Sequence, residues 1–93
     1  MERRVSVTDS RKGNCAVLYV KWQEGSDTAY VDFMRVYWSR EYKHWSSITT
    51  RRIENFPLAW ALEKIDACRK AGHQVAEETS DEATKRAMDA MVF

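Results

Sequence analysis

The sequence predicts an α+β fold: an antiparallel three- or four-stranded β-meander followed by a packed helix and a second, outer C-terminal helix. Two observations support this prediction. The first half of the chain is a series of β-branched and aromatic runs separated by short turn-rich connections, as in strands joined by hairpins. The second half contains two segments whose apolar residues recur at the spacing of an amphipathic helix.

Four segments in the first half have the composition of strands: residues 3–8, 15–22, 29–38 and 44–49. The run over residues 29–38 is the richest in β-branched and aromatic side chains. Neither of its two alternating sets of side chains is polar throughout, as the wet face of a meander would require. Either the second helix or a loop covers that face, or an aromatic surface is left exposed.

The first predicted helix has Pro57 in its first turn, where its missing N–H costs nothing. Asn55 or Phe56 is expected to act as the cap. An apolar stripe follows at helical spacing, made of Leu58, Ala61, Leu62, Ile65 and Cys68. Arg69 and Lys70 suit the last turn, and Gly72 predicts the stop.

The second predicted helix begins at a capping-box pattern formed by Thr79 and Glu82. Its apolar side consists of Ala and Met, which we expect to be too slight to anchor a core. The helix therefore packs as an outer layer or serves a partner. The connector before it has a short extended piece around Val75.

Length and charge indicate one small domain over residues 1–93, with a basic β-sheet half (1–50) and an acidic helical half (51–93). Residues 1–52 hold ten Lys/Arg and six Asp/Glu, whereas residues 53–93 hold five and eight. This polarity makes self-association, including a homodimer, physically reasonable. The candidate residues for such a contact are Met88, Met91 and Phe93.

The segment after the third strand concentrates aromatic and basic side chains. Trp, Tyr and Arg are enriched in interface hot spots. We therefore predict a non-enzymatic module that binds a protein partner, an accessory or inhibitor protein of the kind that phages and mobile elements carry. The competing interpretation is that about half of these rings are core. The candidate partner-binding residues are Arg35, Trp38, Arg40, Tyr42, Lys43, His44, Trp45, Arg51 and Arg52.

The alternative function is single-stranded nucleic-acid binding. A sheet that presents aromatic rings beside Arg and Lys can stack bases and hold phosphates, and the sheet half of this chain is basic. The sequence pI of about 7.8 is low for such a domain. No RNP-like, helix-turn-helix or Gly-rich motif is present.

Enzymatic and metal-dependent functions have little support in the sequence. Cys15, Cys68, His44 and His73 could be combined as nucleophile and base or as a zinc set, but their spacing matches no such signature. We therefore predict no enzyme, metal or cofactor. Two cysteines without a disulfide framework, no leading apolar stretch and no long apolar run predict a cytoplasmic protein without membrane contact.

Overall fold

The computed structural model describes residues 1–9 and 15–90. Within them, five strands and two helices occur in the order β1 (Glu2–Asp9), β2 (Cys15–Gln23), β3 (Thr28–Ser39), β4 (His44–Pro57), α1 (Leu58–Lys70), β5 (Gln74–Ala76) and α2 (Ser80–Ala90). The strands form one antiparallel sheet in the order β4-β3-β2-β1-β5. The predicted α+β fold is confirmed, with four meander strands and one strand added after α1.

The added strand, β5, is the extended piece predicted around Val75, and it pairs with β1 through Val7↔Val75. Helix α1 carries the chain from β4 at one edge of the sheet to β5 at the other. Its 13 residues give a length of about 20 Å. Four strand spacings of about 4.8 Å separate the two edges, so the helix is just long enough for this crossing.

Strand β4 continues to Pro57, well beyond the predicted end at residue 49. Its pairing with β3 shifts register twice, between Phe33 and Met34 and between Ala29 and Val31. At each shift β4 has an extra residue, which is a β-bulge. Bulges interrupt the alternation of side chains along a strand. For this reason the strand predicted from the sequence pattern was too short.

The first face of the sheet is covered by α1. Its core cluster joins Val7, Val20, Ala29 and Val31 to Ala61 and Ile65 of the helix. The β2 side chains Leu18 and Trp22 also pack against this cluster. Leu62, predicted in the apolar stripe, is instead exposed.

The ends of α1 are formed differently from each other. The prediction that Asn55 or Phe56 is the N-cap of α1 is wrong. Pro57 occupies the N-cap and offers no side-chain hydrogen bond. The Leu58 N–H instead donates to the Asp27 carbonyl at 2.8 Å. At the other end Gly72 adopts a φ of 91°, and the His73 N–H donates to the Cys68 carbonyl at 3.1 Å. This is a Schellman motif, so the predicted stop is confirmed.

The second face of the sheet is covered by α2. Ala83 and Ala87 are fully buried against a cluster of Val17, Tyr19, Met34 and Val36. The expectation that Ala and Met are too slight to anchor a core is therefore wrong, because small side chains let the helix approach the sheet closely. The capping box is confirmed: Thr79 and Glu82 exchange side-chain-to-backbone hydrogen bonds of 3.2 Å.

A polar clamp fixes α2 to the sheet. The Arg86 guanidinium donates to the carboxylate of Glu78, to the amide oxygen of Gln74 and to the hydroxyl of Thr8. The Ser6 hydroxyl donates to the Glu78 carbonyl at 3.2 Å. The Glu78 side chain is only 14% exposed, so its charge depends on Arg86 for compensation.

We expect Arg86→Met to destabilise the protein by about 2 kcal/mol, because it keeps the aliphatic stem but leaves the Glu78 carboxylate without its main donor. The corresponding fall in Tm is about 10 °C for a chain of this length. Lys85→Met, at an exposed position next to it, is the control and should leave Tm nearly unchanged. Equal melting temperatures for the two variants in a thermal scan would contradict the role given to the clamp.

Candidate binding surface

The β3–β4 hairpin extends beyond the rest of the described sheet. Pairing of β2 with β3 ends at Cys15↔Val36, whereas β3 and β4 stay paired as far as Ser39↔His44. We call residues 37–46 the projecting hairpin. The molecule is correspondingly elongated, with principal extents of 43 × 25 × 20 Å. This hairpin contains most of the predicted partner-binding residues.

Four rings of the projecting hairpin, counting the His44 imidazole, form two contacting pairs. Trp38 and Trp45 form a T-shaped pair with ring centroids 5.5 Å apart. Trp45 also packs against the core cluster beneath α2, while Trp38 is 45% exposed. Tyr42 is 67% exposed and stacks on His44 at 5.8 Å. These contacts order the four rings before a partner binds. Among them, Trp45 also packs against the core.

Four cations of the hairpin region form no ion pair with the described residues. Arg35, Arg40, Lys43 and Arg51 are all exposed. None of them forms an ion pair within residues 1–9 and 15–90. Residues 33–53 contain five Lys or Arg and a single acid, Glu41. This region therefore carries a net positive charge and a positive field.

The predicted residues divide between two faces and a turn. Directly paired residues share a face, so the pairs Arg35↔Ile48 and Phe33↔Arg51 place both arginines on the side of α1. Trp38 and Trp45 lie on the α2 side. The turn carries three further exposed members, Arg40, Tyr42 and Lys43, and Lys43 has a φ of 53°. His44 begins β4, with Nδ1 3.1 Å from the Ser46 hydroxyl.

Arg52 is exposed, but it differs from the other predicted cations because it is paired with a buried acid, Asp32. Its Nε donates to the buried Asp32 carboxylate at 2.9 Å, and Tyr30 donates to the same carboxylate at 2.9 Å. The hydrogen bond to Asp32 raises the pKa of the Arg52 guanidinium. Burial, together with the hydrogen bond to Asp32, raises the pKa of the Tyr30 phenol. The cluster explains how a carboxylate is tolerated on the α2 face.

A groove that sequence reasoning missed lies between α1 and the sheet. It has a volume of about 590 Å³ and an apolar floor that includes Leu18 and Phe33, with Arg35 and Lys64 beside it. A smaller cavity of about 250 Å³ adjoins it beneath Trp60. Trp60 lies two residues after Leu58 and off the apolar stripe, so helical spacing could have predicted its 62% exposure.

Cys68 and His73 are not arranged as a nucleophile and base. Cys68 carries a free thiol and lines the same groove as His73. The His73 ring lies 3.8 Å from Asp9, and no hydrogen bond joins it to the thiol. Residues 1–9 and 15–90 contain no group of three potential metal ligands. The expectation of a non-enzymatic protein stays a prediction.

The predicted self-association surface is only partly described. Met88 is half-buried and packs against the core cluster beneath α2. Met91 and Phe93 lie outside the described residues. A homodimer through this end of α2 remains a prediction.

No helix in the described part of the chain combines the length and the apolar character that a membrane span requires. Comparison with protein-family models, with curated proteins and with solved structures finds no match to this chain.

Because the pKa of Tyr30 is raised above the value of 10.0 that it has in the unfolded chain, its contribution to stability is present below pH 10. That contribution is lost as the pH rises through the folded-state pKa. We therefore expect urea unfolding to show a larger loss of stability between about pH 9 and pH 11 for the wild type than for Tyr30→Phe. Equal losses would show that the bond between Tyr30 and Asp32 does not respond to pH.

Proposed function

We propose that this protein is a non-enzymatic binding module that holds a negatively charged protein partner through the projecting hairpin. The observation that supports the proposal is the presence of exposed aromatic rings beside cations that form no ion pair with the described residues. Trp38 and Tyr42 lie beside Arg40 and Lys43 at the tip. Such cations steer a partner of opposite charge, and aromatic rings supply the contact area.

The order within the hairpin favours a pre-formed interface. The Trp38–Trp45 and Tyr42–His44 contacts restrict the rings before binding, which lowers the entropy lost on association. The Ser39 hydroxyl accepts a hydrogen bond from the Tyr42 N–H at 3.3 Å and fixes the turn. A narrow, rigid projection suits insertion into a concave partner, as an inhibitor or accessory protein would do. We place this activity in the cytoplasm, where the thiol of Cys68 would stay reduced.

The alternative function is binding of single-stranded nucleic acid on the α1 side of the sheet. Tyr37, which is 42% exposed, shares that face with Arg35 and Arg51. An exposed ring on the same face as two arginines that form no ion pair with the described residues could stack a base while the arginines contact phosphates. We rank it second because the Trp rings lie on the opposite face, so the two groups cannot bind one strand together.

The double variant Tyr42→Ala with Arg40→Ala tests the proposal by capture of protein from an extract of the native cell. Both residues lie in an exposed turn, so Tm should change little. Loss of two hot-spot side chains should weaken capture roughly 100-fold or more.

The matched control is Trp60→Ala with Lys85→Ala, which removes an equally exposed ring and an equally exposed cation elsewhere. Capture that is unchanged in the hairpin variant, or lost equally in the control, would contradict the proposal. Trp45→Ala is a poorer probe because Trp45 also packs against the core.

A gel-shift titration with single-stranded oligonucleotides distinguishes the two functions. Nucleic-acid binding predicts an affinity that falls steeply with salt, by about 0.7 in the logarithmic slope for each phosphate neutralised. The protein-partner proposal predicts no shift at micromolar protein and moderate salt. A shift that Arg35→Ala and Arg51→Ala abolish would reverse the ranking.

A further inference from the structure

The outer strand β4 has an unprotected stretch. Sheet edges are usually blunted by charges, proline, bulges or short length. The opposite edge strand, β5, has only three residues. The later part of β4 has two bulges and the charged residues Arg51, Arg52 and Glu54. Residues 44–49 have no bulge, no proline and no Lys, Arg, Asp or Glu. We call this stretch the open edge.

The open edge also presents an apolar side chain. Ile48 is 54% exposed on the α1 side. Trp45, on the other side, is half-buried. A strand added beside β4 would cover Ile48 and would satisfy the outward-pointing N–H and C=O groups of every second residue. Main-chain hydrogen bonds give affinity in this mode of recognition, and side chains give specificity.

A second copy of the chain does not suit this edge. If two copies paired about an axis at Ser47, Lys43 of one would lie opposite Arg51 of the other. Like charges directly opposite each other are destabilising. Two hairpin regions, each with five cations and one acid over residues 33–53, would also be brought together. The charges around the open edge therefore require an occupant of opposite sign.

We infer that the open edge accepts an extended segment of another protein, with an uncharged β-branched centre and acidic residues at both ends. The inference rests on the proposed function and specifies how the partner is held. Arg40 and Lys43 lie beyond one end of the open edge, and Arg51 lies beyond the other. An extended strand from His44 to Arg51 would be about 23 Å long, and Lys43 lies in the turn one residue before it. The acids of the partner should accordingly stand about seven to nine residues apart.

A synthetic peptide tests this inference directly. The probe has six alternating Thr and Val residues with two Asp at each end, and the control has two Lys at each end. We expect the amide resonances of residues 44–49 to shift on titration at low salt. The peptide with Asp at its ends should bind at least 10-fold more tightly than the peptide with Lys at its ends. This difference in affinity should become smaller as salt is added. Equal affinities, or shifts confined to other residues, would overturn the inference.

Two proline variants locate the binding to the edge. Neighbouring residues in a strand point their N–H groups to opposite sides, so one of Ser46→Pro and Ser47→Pro removes a hydrogen bond to β3 and the other removes an outward donor. Proline is tolerated where the N–H faces solvent. The variant that retains Tm should lose peptide binding at least 10-fold. Retained binding in that variant would contradict strand addition.

Failure of this inference is distinguishable from failure of the proposed function. If the hairpin variants lose capture of a protein but the heat-stable proline variant does not, the function stands and strand addition is wrong. If amide resonances of residues 44–49 depend on protein concentration without peptide, the occupant is a second copy and the inference is overturned.

Discussion

The length of the β3–β4 ladder compared with the rest of the sheet is the constraint on which the rest of the structure depends. Strand β3 has 12 residues, which corresponds to about 40 Å. Its pairing with β2 ends at Val36, whereas its pairing with β4 continues to Ser39. The core clusters beneath α1 and α2 lie where β1 and β2 also pair, and neither cluster contains a residue of the turn at 40–43. The surface available for binding follows from this mismatch.

The two helices cover the two faces of the sheet with different kinds of contact. Helix α1 crosses the sheet and contributes Ala61 and Ile65 to a mostly aliphatic core. Helix α2 contributes Ala83 and Ala87, and the Arg86 clamp adds a polar attachment to β1 and β5. A domain of this size has little stability in reserve. Apart from Trp45, which packs against the core beneath α2, the residues of the open edge and the exposed ring of Tyr42 belong to neither core cluster.

Local signals in the sequence predicted the elements well, whereas long-range packing escaped them. The capping box at Thr79 and the stop at Gly72 are local and were predicted. The length of β4 was not, because two bulges interrupt its alternation. The role of Arg52 also escaped prediction, since Asp32 is 20 residues away along the chain and only the β3–β4 register brings the two together. The position of α2 depends on the opposite face of β2 and β3, which the pattern left open between a helix, a loop and solvent.

The unneutralised cations, the exposed rings and the open edge all lie on the same uncovered hairpin region. Elsewhere most described cations, such as Arg3, Arg52 and Arg86, have acidic partners. Lys64 and Lys85 form no ion pair with described residues either, but each lies singly on a helix, whereas the cations of the hairpin region lie together. Amide hydrogen exchange on the free protein at micromolar concentration tests the central claim most directly. The account predicts that residues 44–49 alternate between protected and rapidly exchanging amides, since only every second N–H faces β3. Uniform protection along residues 44–49 would show that the edge is already covered and would contradict the account.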